Sequence, residues 1–104
     1  MQKEINNFIY LIKKEKYYDA HEALEELWFP NRKDKSAKFL LIKGFINASV
    51  AFELKKRGKL SGALKVWENY KKYLPLINSC SQEDKNIFLP VIEVLENEHK
   101  KLLS

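Results

Sequence analysis

The residues of this chain best suited to chemistry lie together in Tyr17-Tyr18-Asp19-Ala20-His21-Glu22-Ala23-Leu24-Glu25-Glu26-Leu27-Trp28, where a histidine stands among glutamates. On a helix, His21, Leu24, Glu25 and Trp28 fall at i, i+3, i+4 and i+7 and share one face, with Ala20, Leu24 and Leu27 forming the stripe beside it. His21 and Glu25 are then neighbours at the edge of a core, flanked by Glu22 and Glu26. A histidine oriented by a carboxylate can move protons, and a mixed imidazole and carboxylate set suits iron, manganese or magnesium. The spacing His-Glu-x-x-Glu departs from the zinc-protease pattern His-Glu-x-x-His, so the platform of two imidazoles is missing. The paired Glu-x-x-His motifs of di-metal bundles are absent as well. No cofactor is expected, and whether a metal binds is open. The competing expectation is structural: an imidazole held by a carboxylate or carbonyl at a helix contact, with Trp28 as ordinary core.

A complement lies on a third helix. Lys43 and Asn47 stand at i and i+4 on an otherwise apolar surface, and Gly44 between them lets another helix approach closely. A half-buried cation needs a partner. We therefore expect Glu22 or Glu25 to pair with Lys43, and Asn47 to reach His21 or Glu25. The candidate polar site is His21, Glu22, Glu25, Trp28, Lys43 and Asn47. His99 closes the stripe Phe88, Ile92, Leu95, His99 and Leu102, where covering apolar surface near a helix end is a sufficient role. Cys80 lies in a turn-like Asn78-Ser79-Cys80-Ser81 stretch without a nearby base.

These residues need helices to hold them, and apolar periodicity supplies five. Ile5, Phe8, Ile9 and Ile12 mark a first helix over about 3 to 14, and the second covers about 17 to 29, stopped by Pro30-Asn31. The third, about 36 to 57, is apolar nearly all round between Phe39 and Phe52 and should be central, with Ser36 as N-cap and Gly58 past its end. A fourth spans about 60 to 74, before Pro75. A fifth opens at Ser81-Gln82-Glu83-Asp84, and Pro90 is expected to kink it or divide it into a short and a longer helix. Aligning the second and fourth helices on Ala20 and Ala63 also matches Tyr17 with Leu60, Leu24 with Trp67 and Leu27 with Tyr70, a period of 43 residues. The expected fold is all-α: a five-helix bundle of two tetratricopeptide-like helical hairpins plus a C-terminal capping helix, one domain over 1–104.

A net charge of +5 raises the question of nucleic acid. Lys13-Lys14, Lys55-Lys56-Arg57, Lys71-Lys72 and Lys100-Lys101 fall in last helical turns, where cations complement the helix dipole, and the basic loop near Arg32 lacks interleaved aromatics. Nucleic acid is therefore not the expected partner. One cysteine excludes an internal disulfide and leans toward a reducing, cytoplasmic setting. No apolar run approaches the ~18 residues of a membrane span.

The first block, with Ile42-Lys43-Gly44-Phe45-Ile46-Asn47-Ala48 and then Arg57-Gly58-Lys59 and Gly62-Ala63-Leu64, resembles the bacterial domain-of-unknown-function family numbered 309, over about residues 8 to 75. Its pattern Tyr-Tyr-Glu-Ala-His-Glu-x-Leu-Glu-x-x-Trp maps onto His21, Glu22, Glu25 and Trp28. Its second block, Leu-Gln-Gly-Leu-Ile-Gln, differs here in Lys43 and Asn47. The resemblance implies an all-α bundle and no established activity. The chain is expected to be a helical interaction or ligand-binding module, for a protein or peptide partner or a second copy of itself, with Tyr10, Tyr70 and Tyr73 as exposed anchors. The alternative is a metal-dependent or acid/base enzyme, hydrolase-like, using His21, Glu22 and Glu25.

Overall fold

Five helices alternate in direction in the computed structural model, which describes residues 1–102. They are α1 (Gln2–Lys13), α2 (Tyr17–Trp28), α3 (Ala37–Lys56), α4 (Leu60–Tyr73) and α5 (Gln82–Leu102). Short 3₁₀ turns, Phe29–Asn31 and Leu74–Ser79, follow α2 and α4, each carrying a proline at its start. No strand occurs among the described residues. None of their helices is long and apolar enough to cross a membrane.

The 43-residue period is visible in the backbone. Both hairpin turns end a helix with a residue of positive φ, Glu15 at 60° and Gly58 at 79°. In each, two amides turn back on the helix end: Glu15 to Ile12 and Lys16 to Leu11, then Gly58 to Lys55 and Lys59 to Leu54. This is the Schellman arrangement, which satisfies carbonyls the helix would leave orphaned. The next residue also repeats, Lys16 at φ −97° and ψ 69° and Lys59 at φ −102° and ψ 67°.

Helix α3 is the central one, with Leu41, Ile42, Phe45, Ile46, Ala48, Ala51 and Phe52 buried around most of its circumference. It runs antiparallel to both α2 and α4. Gly44 lies against Tyr73, where an added Cβ would come within 2.9 Å of the tyrosine Cβ, so the close approach expected of this glycine is real. Helix α5 covers the open side of both hairpins, placing Phe88 edge-on to Phe45 at 5.6 Å and His99 flat on Trp67 at 4.2 Å.

Pro90 does not divide α5. The helix is continuous from Gln82 to Leu102, and its opening is capped by the Ser81 hydroxyl, which accepts the Asp84 amide. The carbonyl that Pro90 leaves without its helical partner belongs to Asn86, and both residues are solvent-exposed, so water can replace the missing bond.

Candidate functional site

Helix α2 presents His21 at the seam with α3. A glutamate stands beside each ring nitrogen: Nδ1 lies 3.3 Å from Glu22 Oε1, and Nε2 lies 3.3 Å from Glu25 Oε1. Tyr18, one turn earlier, sets its ring 5.9 Å from the imidazole. The sequence spacing thus brings His21, Glu22 and Glu25 into one cluster, at the rim of the bundle rather than inside it. Among the described residues, no three histidine, cysteine, aspartate or glutamate side chains are arranged to hold a metal ion.

His21 faces a cavity of about 300 Å³ between α2 and α3. Tyr17, Tyr18, Val50 and Leu54 form its apolar and aromatic walls, and Glu53 and Arg57 its polar edge. The Arg57 Nε–H donates to Glu53 Oε2 at 2.7 Å, so the two charges satisfy one another. Tyr17 is buried with its ring against Phe52 at 5.4 Å, and its hydroxyl donates to the Glu98 carboxylate of α5. Burial, with Glu98 beside it, raises the Tyr17 phenol pKa far above its usual range.

The other half of the expected site is arranged differently. Lys43 makes no ion pair among the described residues; its Nζ stands 5.7 Å from the centre of the Trp28 ring and 6.0 Å from that of Tyr73. Asn47 donates to the carbonyl of Lys43 at 2.9 Å instead of reaching His21 or Glu25. The cause is register. In antiparallel helices His21 is level with Val50 and Leu54, whereas Lys43 is level with Trp28, about two turns or ~10 Å along the axis. An aromatic face therefore meets the half-buried cation where a carboxylate was expected.

Of the proposed exposed anchors, Tyr10 is exposed and Tyr73 half-buried, but Tyr70 is fully buried and donates to Glu96 at 3.0 Å. Its place on the same inward face as Ala63 and Trp67 was the signal for this. Val50 was missed because it reads as one flank of an all-round apolar stretch, and Glu53, Leu54 and Arg57 because they read as the polar last turns of α3. Only the position of α2 shows that this flank stays partly uncovered.

A family model described as Domain of unknown function (DUF309) matches residues 5–66, which runs from the first turn of α1 through α2, α3 and both hairpin turns to the first half of α4. No curated protein and no solved structure gives a significant match.

Proposed function

The chain belongs to the domain-of-unknown-function family 309, and from the cavity at its α2–α3 seam we propose that its site acts by binding. The chain is then a helical recognition module of the cytoplasm whose α2–α3 cavity holds an apolar side chain of a protein or peptide partner. The observation that carries this reading is the cavity itself, walled by Tyr18, Val50 and Leu54 and closed at its rim by groups that already satisfy one another. Both imidazole nitrogens of His21 face the helix's own glutamates. Flanking carboxylates within its own helix orient this ring at the cavity edge, a placement that serves recognition. A volume near 300 Å³ lies at the small end of binding pockets and suits one large side chain.

Titration with N-acetyl-phenylalanine amide, followed by NMR, tests the reading. Shifts confined to Tyr18, His21, Val50 and Leu54, and weakened in a Leu54→Gln variant of unchanged helicity, are expected. Shifts elsewhere with these residues silent refute it. Elemental analysis tests the enzyme alternative: stoichiometric metal in the purified protein, lost in His21→Ala, would replace recognition with metal chemistry.

A further inference from the structure

The basic residues are scattered in sequence and gathered in space. Lys56 Nζ donates to the carbonyl of Glu15 at 3.3 Å, and Lys101 Nζ donates to the Glu15 carboxylate at 3.0 Å, which ties together the two hairpin turns and the end of α5. That pole of the bundle carries Lys13, Lys14 and Lys16 from the first turn, Lys55, Lys56, Arg57 and Lys59 from the second, and Lys100 and Lys101 from α5. Nine cations there face four carboxylates, Glu15, Asp19, Glu53 and Glu98, and the other ten cations balance the other ten carboxylates. The pole thus carries five more cations than carboxylates, with Glu22 and Glu25 of the His21 cluster the next carboxylates along α2. Three of those carboxylates are already engaged: Glu15 by Lys101, Glu53 by Arg57 and Glu98 by the Tyr17 hydroxyl.

Helix dipoles explain part of this, since α1, α3 and α5 all end at this pole and cations favour helix C-termini. They account less well for Lys16 and Lys59. Each closes the turn behind one helix and begins the next, so its charge favours the dipole of α1 or α3 and opposes that of α2 or α4, and neither of the latter has a side-chain cap. The two dipole effects offset one another, and an Asp, Ser or Asn would cap α2 or α4 where a lysine does not. Both hairpins nonetheless carry one, 43 residues apart. The cavity opens at the same pole, with Arg57 on its edge and Tyr17 and Tyr18 in the first turn of α2.

Resting on the recognition reading above, we infer that the partner is an acidic peptide segment with one large apolar side chain: the side chain enters the α2–α3 cavity while flanking carboxylates meet the lysine pole. A peptide fits better than single-stranded nucleic acid, which is held by successive aromatic platforms along a basic groove. The cavity offers one exposed aromatic wall, Tyr18, against aliphatic Val50 and Leu54. Eight of the nine cations are lysines, point charges suited to carboxylates in no fixed geometry.

Two fluorescein-labelled peptides sharing a central Leu-Phe, one flanked by Asp and Glu and the other by Ser and Gln, are titrated by anisotropy. The acidic peptide should bind at least about tenfold more tightly at low ionic strength, and the difference should collapse at about 0.5 M salt. A Lys16→Asp/Lys59→Asp variant should remove the preference and leave the neutral peptide unaffected, with its fold intact because aspartate is a good N-cap residue. Equal binding of the two peptides overturns the inference while leaving the cavity reading standing. Binding of neither, with no N-acetyl-phenylalanine amide shifts, removes both. An acidic peptide indifferent to Leu54→Gln overturns the two-part site. So does tighter binding of an oligothymidylate of equal charge or of phosphatidylserine vesicles, which would assign the pole to nucleic acid or to a membrane surface.

Discussion

Two glycines in helices should respond to the same substitution with opposite sign. Replacing an interior helical glycine by alanine ordinarily stabilises by about 0.8–1 kcal/mol through backbone entropy. At Gly44 that gain meets an obstacle. The new Cβ would lie 2.9 Å from Tyr73 Cβ, well inside the ~3.5–4.0 Å at which carbon atoms attract. The opposing atom is the root of a side chain and moves only if the backbone of α4 moves with it. Separating α3 from α4 disturbs the packing of Phe45 on Tyr70, and overpacking of this kind costs about 1–3 kcal/mol. After the propensity gain, Gly44→Ala should destabilise by roughly 0–2 kcal/mol, about 1 at the middle of that range. At Gly62 the nearest atom is Leu54 Cδ1 at 3.6 Å, an ordinary contact, so Gly62→Ala in the first turn of α4 should stabilise by about 0.5 kcal/mol. Urea unfolding followed by far-ultraviolet circular dichroism gives both values as midpoint shifts at constant m. A Gly44→Ala protein more stable than the parent by about 0.8–1 kcal/mol would refute the reasoning, since it would mean that the contact at Tyr73 relaxes at no cost.

The first hairpin turn should gain from the glycine that the second already has. Glu15 at φ 60° carries about 1 kcal/mol of left-handed strain, while its exposed pair with Lys101 contributes at most a few tenths, so Glu15→Gly should raise stability by about 0.5 kcal/mol in the same urea experiment. A loss instead would show that the Lys101 bridge outweighs the strain. Stability should also fall in alkali. Burial, then Glu98 for Tyr17 and Glu96 for Tyr70, raises both phenol pKa values in the folded state. Their contribution is thus complete below the unfolded tyrosine value near ~10 and is lost as pH rises beyond it, by about 1.4 kcal/mol per pH unit for each. Near-ultraviolet absorbance should show two of the five phenols ionising only as helicity disappears. Ionisation of all five with helicity intact would contradict the buried placement.

The helices and their order were legible because each carries its own signal: apolar period, proline stops, and Gly58 past the end of α3. The cluster of His21, Glu22 and Glu25 was legible for the same reason, as a contact within one helix fixed by spacing alone. What failed depended on how one helix lies along another. The partner of Lys43 is set by the register of α2 on α3, and one turn of slip would have changed it. The cavity was invisible for a related cause: an all-round apolar helix does not reveal which flank a neighbour leaves open. The continuity of α5 through Pro90 follows from the solvent exposure of Asn86 and Pro90, which only the packed fold reveals.

The internal repeat separates what the fold needs from what it merely carries. Positions that face the core remain apolar across the 43-residue step, Ala20 with Ala63, Leu24 with Trp67 and Leu27 with Tyr70. Of the site positions, Tyr18 becomes Ser61, His21 becomes Leu64 and Glu22 becomes Lys65, while Glu25 recurs as Glu68. A hairpin of this geometry therefore closes without a histidine or its flanking glutamate, so those side chains are not imposed by packing. Their occurrence in the hairpin that borders the cavity, and not in its twin, is what a site added to a working scaffold would produce. Lys16 and Lys59 make the complementary case. They are exposed, they favour the dipoles of the helices they follow as much as they oppose those of the helices they begin, and they recur in both hairpins, so what the pair chiefly adds is the field it creates at one pole.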